Sequence, residues 1–450
     1  MNQESVKANQ ITEGVIWKQM LLFFLPIVAG TLLQQFYSMV DTVIIGRYVG
    51  TAALAAVGGS DVMVINLLVN FFVALSSGAS IIISHRFGAG DEASVSKAVH
   101  TAILLAIVIG AVMTFAGIFG ANWLLGLMNT PQDAMEYAVV YLQYYFLGMI
   151  PSMIYNMGSG ILRAVGDSRH PLYFLMACTV ANIFLDILFV VVFHWGVMGA
   201  AVATSLSQVI CAVLVLGCLR RDPGCCHLSY RRLRFDSKML SGMLAIGVPA
   251  GMQTIFYNVT NVMVQAAINS LGTTSAAAWS TFWRMDGFFW PISGALGIAA
   301  MTFVGQNFGA KKPERIRQSV KAGLVLHFGM SIVFGILLYL FRYPFVRLFT
   351  DDLQVQQQGA LVVSYLAAAY PAFSCIEIFS SSIRGTGNAI KPTIITLLAV
   401  CLLRIAFLLV VTFPHTTHLS IALCYPVTWI AASVAFALYY KLGKWMPEQQ

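Results

Sequence analysis

Long apolar runs separated by short polar segments dominate this 450-residue chain. A run such as 102-AILLAIVIGAVMTFAGIFGA-121 does not alternate polar and apolar residues, so it predicts a helix rather than a strand of a membrane barrel. Twelve such runs can be read, each long enough for the roughly 20 residues of a membrane-spanning helix. They lie at about 18–45, 53–83, 97–121, 134–160, 171–193, 197–219, 239–269, 275–305, 318–341, 356–383, 392–413 and 419–440. The pattern predicts an all-α polytopic membrane protein with twelve transmembrane helices.

Composition supports the same class, since 58% of the residues are hydrophobic and only 10% are charged. A soluble domain carries roughly 25% charged residues, so a water-soluble enzyme is excluded. The formal net charge of +8 does not indicate a nucleic-acid partner, because in a membrane protein the loop positions of Lys and Arg matter more. The eight cysteines predict no disulfide framework, since Cys178, Cys211, Cys401 and Cys424 lie in apolar runs.

The distribution of basic residues predicts the orientation. With the N-terminus in the cytoplasm, 21 of the 26 Lys and Arg residues fall in cytoplasmic segments and three fall outside. Such an excess marks the cytoplasmic side, so we expect both termini there. The polar N-terminal segment has no cleavable signal pattern, and we expect the first apolar run to remain as an anchor.

The two halves of the chain resemble one another. At a shift of 221, Phe87-Gly88-Ala89 falls on Phe308-Gly309-Ala310, Arg163 falls on Arg384, and Pro171 falls on Pro392. Internal repeats of this kind are typical of secondary transporters. We therefore expect two six-helix lobes related by a parallel repeat, with an N-lobe over 1–219, a cytoplasmic linker over 220–238 and a C-lobe over 239–450.

Ionisable residues inside the apolar runs are the candidate functional groups, because burying them in a membrane is costly. The N-terminal half carries Asp41, Asp61 and Asp186 without a basic residue at similar depth. The C-terminal half carries Asp286 and Glu377 together with Arg284 and Arg404, so its charges can cancel. In particular, we expect Glu377 and Arg404 to form a structural ion pair. The unpaired N-terminal acids should instead take up a proton or recruit a cation.

Helix geometry places several polar residues at one level. At 1.5 Å per residue, Asp41, Tyr141, Asn182, Asp186 and Thr204 all fall in the outer half of the membrane. Asn182 and Asp186 are four residues apart and share a helix face. The alternative is that each polar group bonds to a neighbouring backbone, which applies most readily to Tyr141 and Thr204. The common level predicts a single polar site.

No enzyme or nucleotide-binding motif stands in the chain, since H-E-x-x-H, G-x-S-x-G and the Walker A lysine loop are all missing from the sequence. Transport without an ATP site must use an ion gradient. Aromatic clusters such as Phe282-Trp283 and Phe288-Phe289-Trp290 could stack on flat organic cations, but such rings are also common at membrane interfaces.

Several blocks resemble the multidrug and toxic compound extrusion (MATE) transporters over about 18–442. They are Pro26 with the later QQFYSMVDTVIIGRYVG, RFGAGD, VGQNFGAKKPERI, ILRAVGDSRHP and SIRGTGNAIKP. The resemblance is closest to the DinF-like branch, whose N-lobe cation site implies coupling roles for Asp41, Tyr141, Asn182, Asp186 and Thr204. Gln34 joins them by position. The NorM-like branch has an acid eight residues after the proline of the seventh helix, where this chain has Tyr257.

The resemblance implies an antiporter of a bacterial cell membrane that exports organic, drug-like cations in exchange for protons or sodium ions. Protons are favoured over sodium, whose ligands would be Asp41, Asn182 and Asp186. The candidate substrate cavity takes residues from both halves of the chain, namely Gln34, Asp61, Asp286, Glu377 and Arg284. We expect a monomer without a cofactor. Alternatives are an exporter of lipid-linked or polar metabolites, an intramembrane enzyme and a channel.

Overall fold

The computed structural model describes residues 11–50, 53, 57, 60–127, 130 and 132–446, with side chains throughout except at 60–64, 66, 67, 127 and 133. Every regular element within these ranges is helical. The helices are α1 (Ile16–Tyr48), α2 (Ser60–Gly88), α3 (Glu92–Leu127), α4 (Gln132–Leu147), α5 (Met149–Ala164), α6 (Arg169–Asp186), α7 (Gly196–Arg221), α8 (Ser237–Asn269), α9 (Thr273–Asp286), α10 (Phe289–Gly309), α11 (Pro313–Leu340), α12 (Arg342–Arg347), α13 (Leu353–Leu366), α14 (Tyr370–Gly385), α15 (Ile390–Thr396), α16 (Leu403–Phe407) and α17 (His418–Leu442). Three π-helical stretches continue α6, α15 and α16, at Ile187–Val192, Leu397–Leu402 and Leu408–Thr412.

The helices form twelve membrane spans, as the hydrophobic pattern predicted, and the short helix α12 lies outside them. Ten spans are apolar over at least 18 residues without a sharp bend, and one of these, Thr273–Gly309, combines α9 and α10. The other two are bent pairs, α4 with α5 at 51° and α13 with α14 at 52°. Each second helix of a pair has a proline in its first turn, Pro151 or Pro371, where the missing N–H does not interrupt a helical hydrogen bond. The prolines therefore mark where the second helix of each pair begins, and the predicted count of twelve is confirmed.

Large apolar side chains, which are seldom exposed to water in such numbers, cover much of the helix surfaces. Phe119 is 78% exposed, Val180 70% and Phe184 64%. Large apolar residues are left exposed in this way where the surroundings are lipid rather than water.

The chain divides into two compact units, residues 25–251 and residues 1–24 with 252–450. Two helices contribute to both units, since α1 divides after Phe24 and α8 after Gly251. The lobe boundaries expected at 219 and 239 remain a prediction.

In the unit of 25–251, small residues allow close helix packing. A Cβ on Gly78 would collide with the main chain of Met243, and one on Gly247 would collide with Leu75. The polar linker after α7 is folded onto α3 by His100, whose Nε2 accepts a hydrogen bond from the Ser229 N–H at 3.1 Å. Small residues at such crossings are how membrane helices approach one another.

In the other unit, aromatic rings fill the core around Phe289 and Tyr370, whose centroids are 4.5 Å apart. The N-terminal segment is bound to the start of α11 in the same unit. Arg315 donates to the carbonyl oxygens of Ile11, Glu13 and Gly14 at 3.0–3.1 Å. These bonds fix the entry of the chain into α1.

Candidate functional site

The polar residues predicted to share one level are all buried in the unit of 25–251. Asp41 on α1 is 8% exposed, Tyr141 on α4 7%, Asn182 and Asp186 on α6 1% and 0%, and Thr204 on α7 5%. Four helices from separate parts of the sequence therefore each bury a polar group in one unit.

Hydrogen bonds and apolar contacts hold these helices in place. The Ser205 hydroxyl donates to the Tyr144 carbonyl at 2.8 Å and joins α7 to α4. The Cys178 thiol donates to the Ser207 carbonyl at 3.1 Å and joins α6 to α7. Tyr141 packs in a cluster with apolar residues of α1, α7 and the π-helical stretch. The site is thus supported by neighbours that are themselves fixed.

The backbone changes at Asp186, which is the last residue of α6 and directly precedes the π-helical stretch Ile187–Val192. The Phe193 N–H reaches back five residues to the Leu188 carbonyl at 2.9 Å. α7 packs tightly here, since a Cβ on Gly199 would lie 3.1 Å from the Phe189 carbonyl. Single turns of π-helix are rare and are frequent at functional sites, where the wider turn redirects a side chain.

The carboxyl of Asp41 lies within interaction range of the Asp186 carboxyl and the Thr204 hydroxyl. Several buried polar atoms of these side chains nevertheless make no hydrogen bond. Asp41 Oδ1, both Asp186 carboxylate oxygens and Thr204 Oγ1 are left without a hydrogen-bond partner, as are Asn182 Oδ1 and Nδ2. Most buried polar atoms in proteins are paired, so these unpaired polar atoms require an explanation.

The donor set fits a proton or a small hard cation. Two carboxyls, a hydroxyl and an amide oxygen are the ligand types that such ions accept. Within the described residues, no group of three or more His, Cys, Asp or Glu is arranged to hold a metal ion. The structure thus places Asp41 near Asp186 and Thr204. That these residues form a coupling site stays a prediction.

Two tyrosines that sequence reasoning did not select border the carboxyl pair. Tyr37 and Tyr145 both lie close enough to Asp41 to interact electrostatically. Tyr145 also stacks on Tyr141, with ring centroids 5.9 Å apart. Each is one helical turn from a selected residue, so the four-residue spacing could have identified them. Gln34 is exposed, and its side chain contacts Tyr37.

Asp286 is a further buried acid, in the unit of 1–24 and 252–450, and it is 3% exposed. Its carboxylate accepts hydrogen bonds from Trp290 Nε1 and the Tyr370 hydroxyl, each at 2.6 Å. Beside it is a small aromatic-lined cavity of about 10 Å³, close to the room that one water requires. Arg284 does not neutralise Asp286, because its side chain is exposed while Asp286 points into the core.

The expected ion pair between Glu377 and Arg404 is wrong. Glu377 is half-buried, with Ser381 Oγ donating to Oε1 at 3.3 Å, and its charged neighbour is Arg384. The Arg404 guanidinium lies 4.5 Å from the centre of the Tyr425 ring and donates to Thr428 Oγ1 at 3.3 Å. Arg384 follows Glu377 by seven residues, about two turns of the same helix, so the charged neighbour of Glu377 comes from its own helix. Asp61 lies in the first turn of α2, and its side chain is outside the described residues.

The second half of the chain repeats the π-helical scaffold of the site without counterparts of Asp41, Asn182 and Asp186. A π-helical stretch recurs at Leu408–Thr412, and the Phe413 N–H reaches the Leu408 carbonyl at 2.8 Å. At shifts of 220 and 221, Asn182 falls on Leu402 or Leu403, and Asp186 falls on Ala406 or Phe407. With the two prolines of α1 and α8 aligned, Asp41 falls on Val264. The acids are therefore not required to build the fold.

Comparison with known proteins gives consistent matches along the chain. The family model MatE matches twice, at residues 26–188 and 249–410. A relative from Bacillus subtilis, described as probable multidrug resistance protein YoeA, is 27% identical over 97% of this chain and 94% of its own. A relative from Shewanella oneidensis, described as an FAD transporter, is 25% identical over 87% of each chain. A solved structure, described as an outward-facing conformation of a multidrug resistance MATE family transporter, matches with a TM-score of 0.90, 21% identity and 98% coverage of both chains. The double match of one model accounts for the internal repeat.

Proposed function

We propose an ion-coupled export function for this chain, which belongs to the MATE family of multi-pass membrane transporters. It is a transporter rather than an enzyme, and relatives named for multidrug resistance or multidrug export support efflux of small organic molecules. The finer proposal is antiport, in which an organic cation leaves the cell as protons or sodium ions enter.

The buried pair of Asp41 and Asp186 carries this proposal. Two acids in one water-poor site repel each other when both are charged, and desolvation further disfavours the charged forms. A bound cation relieves both costs. Because an organic cation and a coupling ion would neutralise the same two carboxyls, they exclude each other, and exclusive occupancy is the requirement for antiport.

Protons are the preferred coupling ion. A proton needs one carboxyl oxygen and a neighbouring acceptor, which the unpaired oxygens of Asp41 and Asp186 supply. Sodium would need several oxygens at similar distances, and here it would draw on Asp41, Asn182 and Asp186. Transport is proposed to proceed in a monomer by alternating access, without a cofactor.

The relative described as an FAD transporter favours a second candidate, export of a polar, anionic metabolite. Such a substrate would need basic contacts in the transport path. Arg284 is an exposed basic side chain within a membrane span of this chain. Export of anionic nucleotides with no export of dyes would support this candidate.

Reconstituted vesicles test the function. With an ethidium-like dye outside, an acidic lumen at equal sodium should drive dye accumulation above the external concentration. A sodium gradient at equal pH, high inside, should drive little. Dye entry that stops at equal concentrations under both gradients would instead indicate a channel.

The proposed orientation has both termini and the linker after α7 in the cytoplasm of a bacterial cell. A membrane-impermeant maleimide applied to intact cells should therefore not label Cys225, which is half-buried in that linker. It should label a Trp195→Cys variant, since Trp195 is 43% exposed at the opposite end of α7. The Cys225→Ser variant shows which label belongs to Cys225. If intact cells are labelled and this variant loses the label, the orientation is reversed.

A further inference from the structure

A cavity of about 670 Å³ opens beside the C-terminal end of α17. Arg317, Lys441 and Lys444 line it, and all three side chains are exposed. None of the described lining residues is acidic. Glu314 accepts a hydrogen bond from Arg317 at 3.2 Å, in a pair whose side chains are both more than half exposed. Exposed pairs of this kind are weak, so the cavity keeps a strong positive charge.

Stacked aromatic rings build one side of the cavity. The Trp445 ring stacks on Tyr440 at 4.7 Å, and Tyr440 stacks on Phe379 at the same distance. Trp445 is 4% exposed, and its carbonyl accepts a hydrogen bond from Thr386 Oγ1 at 3.1 Å. These contacts fix the turn after α17, so Lys441 and Lys444 are presented from a defined backbone.

The cavity lies where three membrane-spanning helices have their ends. Arg317 is in the second turn of α11, Thr386 directly follows α14, and Lys441 is in the last turn of α17. Helix ends in membrane proteins lie near the level of the lipid headgroups, where Trp and Tyr are enriched. Basic pockets between helices at this level bind the headgroups of anionic lipids.

We propose that this cavity binds the phosphate group of an anionic phospholipid. The three basic side chains can surround a phosphate, with the Arg317 guanidinium offering paired donors and the lysines offering point charges. The stacked rings give the glycerol and upper acyl chain an apolar wall, which a free phosphate would not need. The proposal is independent of the export function, because it concerns other residues.

Binding to the full-length protein in neutral detergent micelles tests the proposal. Native mass spectrometry and thermal stability should show tighter binding of phosphatidylglycerol or cardiolipin than of phosphatidylcholine. Lys441→Gln with Lys444→Gln should weaken anionic lipid binding about thirty-fold, since each basic residue contributes roughly fivefold near a membrane surface. Arg317→Gln should weaken it about fivefold.

The matched control is Arg231→Gln with Arg232→Gln, which removes the same charge from exposed residues of the linker after α7. This variant should bind anionic lipid within about twofold of the unchanged protein. Equal losses in both double variants would overturn the cavity as the site. Inorganic phosphate that binds as tightly as the lipids would overturn the lipid as the ligand.

Discussion

Asp41→Asn should reduce gradient-driven dye export to the level of protein-free vesicles. The amide keeps the size of the side chain, but it can neither take up a proton nor balance a cation. Asp186→Asn should have the same effect, because its carboxyl lies close to that of Asp41 in the same buried site. Initial rates of dye accumulation under an imposed proton gradient measure the loss.

Stability should change in the opposite sense. Asp41 Oδ1 and both Asp186 oxygens are buried without hydrogen-bond partners, so replacing one carboxyl by a neutral amide removes a desolvation cost and a repulsion. Each variant should unfold at the same temperature as the unchanged protein or higher, with a gain of up to about 2 kcal/mol. Asp351→Asn is the matched control, since Asp351 is exposed in a loop and should keep full export. Full export by both buried variants would remove the carboxyl pair from the coupling mechanism.

The internal repeat explains why these acids are candidates for function rather than for folding. The C-terminal half forms the same π-helical stretch with Leu402, Leu403, Ala406 and Phe407 in the aligned region. One copy thus shows that the backbone forms without Asn182 and Asp186. Selection for folding alone would favour apolar residues in both copies, because buried acids lower stability.

The fold was largely predictable from the sequence, because long apolar runs have few ways to satisfy their backbone in lipid. The bends between α4 and α5 and between α13 and α14 were marked by prolines, but their angles depend on packing. The grouping of Asp41 with Asp186 followed from counting the rise along two helices. These features all depend on local geometry.

The side-chain partners in the second half were not predictable in this way. Glu377 was assigned to Arg404 by charge counting, whereas its charged neighbour is Arg384. Arg404 instead lies over the Tyr425 ring. Asp286 was assumed to be neutralised by arginines, yet it is satisfied by Tyr370 and Trp290. Pairing between helices depends on their rotation about their own axes, which a count of charges does not contain.

Binding of a cationic dye to the purified protein should release protons into solution. If the dye and a proton compete for the carboxyl pair, each dye that binds must displace the proton held by the pair of Asp41 and Asp186. Calorimetric titration in two buffers of different ionisation enthalpy, at one pH, measures the number released. We expect about one proton per dye, since the electrostatic repulsion that favours protonation involves one pair of acids.

Asp41→Asn should reduce this number to near zero, and Asp351→Asn should leave it unchanged. Equal heats in both buffers with the unchanged protein, at dye concentrations that saturate it, would mean that substrate and proton bind independently. Antiport would then have to arise from another site, for which buried Asp286 is the first residue to replace.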